Sequence, residues 1–119
     1  PMDWQIAAGR PVYIQLVEQL ERAVVTGVYP PGERVPAVRD LAAQAQVNPN
    51  TMQRALAEME SRGLLVTQRT TGRTVTSDTA LIAKTRQALA ASLAQDFLAQ
   101  AKALGLTREE ILALLQQEE

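Results

Sequence analysis

The 119-residue chain contains no cysteine and no histidine. Disulfides, thiolate nucleophiles, imidazole general bases and the commonest zinc ligand sets are therefore excluded. Aromatic residues amount to only 3%, so a core has to be assembled from Leu, Val, Ile and Ala. No apolar run approaches the roughly 20 residues that span a bilayer, and no signal-peptide pattern is visible. A cytoplasmic location is the expectation, with no membrane partner. Pro1 precedes Met2, which reads as the native start. Neither sign of charge dominates, the net charge being −1. Paired carboxylates, a nucleophile beside a base and a Gly-Lys phosphate loop are all missing, so neither catalysis nor a cofactor or metal site is expected.

What is present is 46% apolar, typical of a folded chain, and the length suits one domain with a short appendage. Charge is unevenly spread. Between Arg34 and Arg73 six arginines (Arg34, Arg39, Arg54, Arg62, Arg69, Arg73) face three carboxylates (Asp40, Glu58, Glu60), a local +3. Every basic residue before Lys84 is arginine, whose planar fork suits phosphates and guanine edges.

Periodicity divides the chain. Trp4 and Ile6 are expected to anchor an N-terminal arm. Tyr13, Leu16, Val17, Leu20 and Val24 form one helical stripe between Pro11, at a first-turn position, and Gly27, just past the end. Glu18, Glu21 and Arg22 fall on its wet face. Tyr29-Pro30-Pro31-Gly32 is a connector, and Arg34-Val35-Pro36 a short extended piece able to pair with a later strand. A short helix follows over residues 37–45, weakly capped because Ala37 stands where Ser or Thr is expected. After a turn at Gln46-Val47, Asn48 caps and Pro49 starts a helix over residues 49–62, ended by Gly63. Met52, Ala55, Leu56 and Met59 are its buried stripe; Asn50, Arg54, Ala57 and Ser61 lie opposite, with Gln53 at the margin. Residues 64–76 read as a β-hairpin turning at Arg69-Thr70-Thr71-Gly72. A long helix from Thr79 to about Leu104 and a last one capped by Thr107-Arg108-Glu109-Glu110 complete the chain.

Three helices and a hairpin make a winged helix-turn-helix. The expected fold is mainly α with a small β-wing: a winged head over residues 1–78 and a helical dimerisation tail over 79–119. The start of helix 49–62 is expected to offer amide groups and short polar side chains to phosphates and base edges. Asn50, Thr51, Gln53 and Arg54 suit bidentate pairing with bases, with Arg34, Arg39, Arg69 and Arg73 beside them. Blander roles compete: an Arg54–Glu58 pair at i+4, an Arg39–Asp40 surface pair, capping alone for Asn48, and a solvent-facing Arg62.

The runs Pro11-Val12-Tyr13-Ile14-Gln15-Leu16, Pro31-Gly32-Glu33-Arg34-Val35-Pro36, Val38-Arg39-Asp40-Leu41-Ala42 and Val47-Asn48-Pro49-Asn50-Thr51-Met52-Gln53-Arg54-Ala55 resemble the GntR family of bacterial transcription regulators. The resemblance continues from Leu56 through Leu65 and covers about two thirds of the chain. The Asn-Pro-Asn-Thr form and the short helical tail look most like the YtrA subfamily. It implies a homodimer on a double-stranded, palindromic DNA operator, acting as a repressor, with helix 49–62 in the major groove. It implies DNA contact at Arg39 and at Asn48, Asn50, Thr51 and Gln53, with Gly72 as the wing glycine. The wing departs from the family's Gly-x-Gly-Thr-Phe-Val: here it is Thr70-Thr71-Gly72-Arg73-Thr74-Val75, and Arg73 is expected to supply a phosphate contact instead. Ile82, Leu89, Leu93, Phe97, Leu104, Ile111 and Leu115 are the expected dimer seam. A small-molecule effector, if one exists, is expected near that seam or between tail and head. The alternative function is a winged protein-interaction module without sequence-specific DNA binding.

Overall fold

The structure is a computed structural model describing residues 2–119. Its elements run α1 (Val12–Val25), α2 (Val38–Ala45), α3 (Pro49–Ser61), β1 (Leu65–Gln68), β2 (Gly72–Val75), α4 (Thr79–Ala103) and α5 (Arg108–Gln117). Packing divides the chain into two compact units, the first ending at Thr85 and the second running from Arg86 to Glu119.

The first unit is built on α1 and α3. Leu16, Leu20 and Val24 of α1 are buried with Met52, Ala55, Leu56 and Met59 of α3 and Leu41, Ala42 and Ala45 of α2. Leu64, Leu65 and Val75 carry the same core under the hairpin. Helix α3 ends in a full Schellman turn: Gly63 N–H donates to the Glu60 carbonyl at 2.9 Å and Leu64 N–H to that of Met59 at 3.0 Å. Gly63 takes φ +78, and a Cβ there would stand 3.4 Å from Leu81 Cδ2. The strands pair antiparallel, Leu65 with Val75 through Gln68 with Gly72. The expected pairing of Arg34-Val35 is present as a bridge from Arg34 to Thr74, with Val35 N–H donating to the Arg73 carbonyl at 3.0 Å.

Several details differ from the sequence reading. Pro11 is the N-cap of α1, one position before the first turn. Glu21 is buried, not on the wet face, because Arg62 reaches across from the end of α3 to pair with it at 2.9 Å. Ile82, expected in a dimer seam, is half-buried with Leu81 against the core of the first unit, so this unit extends past residue 78 into α4.

Trp4 and Ile6 anchor the arm as expected. The arm is also fastened by two glutamines one turn apart on α1. Gln19 accepts from Gln5 N–H at 2.9 Å and donates to the Gln5 carbonyl at 2.7 Å. Gln15 accepts from Ala7 N–H at 2.8 Å and donates to the carbonyls of Ala7 and Arg10.

In the second unit α4 closes at Gly105 and Leu106, and α5 opens with both halves of the Thr107–Glu110 capping box. Hydrogen bonding to Thr107, chiefly from its backbone N–H at 2.8 Å, holds the Glu110 carboxyl below its ordinary value. Ala101 and Ile111 are the buried residues of this unit, so Ile111 is committed within the chain and leaves the expected seam. Leu93, Phe97, Leu98 and Leu112 instead line an open apolar groove of about 580 Å³. No helix among the described residues is long and apolar enough to cross a membrane.

Leu56 is fully buried at the centre of the first unit. Leu56→Ala is expected to lower stability by about 2–5 kcal/mol, read as a reduced denaturation midpoint at unchanged slope.

Candidate nucleic-acid interface

Helices α2 and α3 are joined by three residues. Gln46 closes α2 in the left-handed region at φ 57, and Val47 N–H donates to the Ala42 carbonyl at 3.0 Å. Asn48 then caps α3, its Oδ1 accepting from Asn50 N–H at 2.7 Å. The Asn48 carbonyl accepts from Thr51 and Met52 N–H groups at 3.0 and 3.1 Å. Pro49 has no amide hydrogen to give. The amide groups expected to face a ligand are thus already used or lacking at the first three positions. What the start of α3 presents is side chains: Asn50, Gln53 and Arg54 are exposed and Thr51 half-buried.

The arginines fall into two groups. Arg62 is tied to both Glu58 and Glu21 at 2.9 Å, so it does not simply face solvent as expected. Arg73 is tied to Glu60, which also accepts from the Thr67 hydroxyl at 2.6 Å. Strand alternation explains this. Val75 and Leu65 point into the core, so Arg73 and its cross-strand partner Thr67 share that inward face, toward α3. The expected phosphate contact from Arg73 is therefore corrected: this side chain is one-fifth exposed and fastens the wing to α3. Burial works to raise the Glu60 carboxyl, but the hydrogen bonds from Thr67 and Arg73 and the Arg73 charge outweigh it and hold the group below its ordinary value.

Arg34, Arg39, Arg54 and Arg69 form no ion pair among the described residues. Arg39 is exposed in the first turn of α2 and does not pair with Asp40. Arg69 is exposed in the wing loop with Thr70 and Thr71. Arg34 lies against the wing, its Nε 3.6 Å from where a Cβ on Gly72 would be, and Gly72 holds φ +77. Arg54 does not pair with Glu58; its guanidinium lies 3.9 Å from the centroid of the Tyr13 ring. Sequence reasoning missed Glu60 and treated Tyr13 as stripe only. The period of two counted back from Val75 was the available signal for the inward turn of Arg73.

A three-helix head with a polar-fronted third helix, unpaired arginines beside it and a two-stranded wing is a winged helix-turn-helix of the DNA-binding kind. Residues 12–75 match the family of bacterial regulatory proteins called the gntR family. The chain belongs to this family, on its YtrA-like side. It is 36% identical over 111 residues to the uncharacterized HTH-type transcriptional regulator YhcF of Bacillus subtilis, covering 93% of this chain and 92% of that one. It is 37% identical over 62 residues to the HTH-type transcriptional repressor YtrA of Bacillus subtilis, covering 52% of this chain and 48% of that one. Among solved structures, a GntR family transcriptional regulator from Listeria monocytogenes superposes with a TM-score of 0.89 at 34% identity, covering 95% and 99% of the two chains. The DNA-binding domain of AraR in complex with operator ORE1 gives a TM-score of 0.53 at 26% identity, covering 60% of this chain and 93% of that one. The chain is thus a DNA-binding transcriptional regulator, and its relatives are named as regulators rather than enzymes.

Glu60→Gln is expected to loosen the wing and cost about 1.5–3 kcal/mol, the scale of hydrogen bonds to a charged group. The sign in pH follows from a lowered folded value: stabilisation is complete above the ordinary glutamate value of 4.5 and is lost as pH falls through the lower one. The wild-type advantage over Glu60→Gln in thermal melts should therefore persist at neutral pH and vanish in strong acid.

Proposed function

We propose that this regulator is a repressor that binds a palindromic operator as a homodimer in the cytoplasm, with α3 in the major groove and the hairpin as wing. The observation that carries the DNA reading is the open front of α3, where Asn50 and Gln53 stand exposed with the equally exposed Arg54 on the flank beside them. Asn50 and Gln53 carry amides of the kind that pair bidentately with adenine. Asn48 spends its side-chain oxygen on the cap, leaving its NH2 group for a phosphate. Arg39 in α2, with Arg34 and Arg69 at the wing, supplies charge for the backbone on either side, and Gly72 lets the wing turn come close. The similarity to YtrA, a transcriptional repressor by name, supports the sign of regulation.

The dimer reading rests on the second unit. Leu104 is 81% exposed and Leu93 60%, and Phe97, Leu98, Leu112 and Leu115 are exposed as well. That is a large apolar surface for one long helix and one short one, and a second copy is the commonest way to cover it. Leu89, half-buried on the same helix, belongs with this seam. A twofold pair would place two α3 helices for half-sites one DNA turn apart, roughly 34–36 Å.

Selection of bound duplexes from random DNA is expected to return a palindrome; recovery of no preferred sequence would sink the operator reading. Arg39→Ala should weaken binding to selected and scrambled duplexes alike and reduce the salt slope by about one while the protein stays folded. Leu93→Asp is expected to shift the sedimentation mass from dimer to monomer, and a wild-type mass already monomeric at micromolar concentration would refute the seam.

A further inference from the structure

We infer that Tyr13 is a positioning residue for DNA binding: its ring holds the Arg54 guanidinium by one face, so that the free donor edge of Arg54 meets a phosphate oxygen of the duplex. The inference rests on the reading of α3 as the groove-entering helix. Tyr13 lies in the first turn of α1 and Arg54 on the exposed side of α3, with the guanidinium carbon 3.9 Å from the ring centroid. The stacking is not a by-product of an ion pair. Glu58, the nearest carboxylate along α3 at i+4, is taken by Arg62, and Arg54 has no acidic partner among the described residues.

A stacked guanidinium keeps its N–H donors in the plane parallel to the ring, so the face is used and the edge is not. An unpaired arginine on a helix surface would sample many rotamers; the ring removes that freedom before the ligand arrives. Stacking also decides what the edge can reach. It draws Arg54 off the front of α3 toward α1, on the flank of the reading helix. Base edges lie ahead of a helix in the major groove and phosphates along its sides, so the contact is to backbone and carries no base preference. Leu or Val would satisfy the apolar stripe of α1 at position 13; neither offers a face for a cation.

The test uses the full chain and the duplex selected by the wild-type protein, with affinity measured across a series of salt concentrations. Arg54→Ala is expected to weaken selected and scrambled duplexes alike and to reduce the salt slope by about one. Tyr13→Phe keeps the ring and should bind as wild type. Tyr13→Leu should weaken binding about two- to fivefold, the scale of an exposed cation–π contact, but only when Arg54 is present. The doubly substituted chain should then bind no more weakly than Arg54→Ala alone. Equal losses from Tyr13→Leu with and without Arg54 would overturn the inference, as would relaxation of a single base pair in Arg54→Ala. Nuclear magnetic resonance of the wild type needs no variant: the ring-current shift of the Arg54 side-chain protons should persist in the complex, and its loss would mean that Arg54 leaves the ring to bind. Loss of affinity in Arg39→Ala but none in Arg54→Ala overturns this inference alone. Unchanged affinity in both removes the reading beneath it as well.

Discussion

Everything in the head depends on α3 being gripped along one side while the other stays open. Met52, Ala55, Leu56 and Met59 are almost wholly inaccessible to solvent, yet Asn50, Gln53, Arg54, Ala57 and Ser61 on the same helix are exposed. A 13-residue helix has little stability of its own in water, so the buried stripe is what keeps its polar front in one orientation. In a chain with so few aromatics the grip falls to close-packed aliphatics and two methionines. Methionine suits the task because its flexible thioether fills irregular gaps against α1 and α2.

Much of this was legible in the sequence. The 3.6-residue stripes fixed α1 and α3, Asn48-Pro49 marked a helix start, and Gly63 and Gly105 marked ends, because each of these signals is local. The site was less legible where a side chain's partner is distant in the chain. Nothing near Arg62 shows that Glu21 waits on another helix, and nothing near Arg73 shows Glu60. Tyr13 and Arg54 lie 41 positions apart and meet only because α1 crosses α3. The tail misled for a related reason. Periodicity identifies Ile82 and Ile111 as apolar, but cannot say whether an apolar face is covered by the chain itself or left open.

Partnering also resolves the charge paradox of a regulator with net charge −1. Arginines are divided by what stands beside them: Arg62 and Arg73 neutralise carboxylates that bind α3 to α1 and to the wing, whereas Arg34, Arg39 and Arg69 have no such neighbour among the described residues. Two of the six arginines in the basic segment are therefore structural. The field that a polyanion meets comes from fewer, better-placed groups than composition implies.

The glutamine fastening of the arm has a geometric root. Residues four apart on a helix are separated by about 6 Å along its axis, and residues two apart on an extended strand by about 6.6 Å. Gln15 and Gln19 therefore match Ala7 and Gln5 in step, each side-chain amide standing in for a strand's peptide group. Only main-chain atoms of the arm are addressed. Side-chain identity at positions 5 and 7 is consequently free to drift, while the number of residues between them is not: one inserted or deleted residue would put both amides out of phase at once.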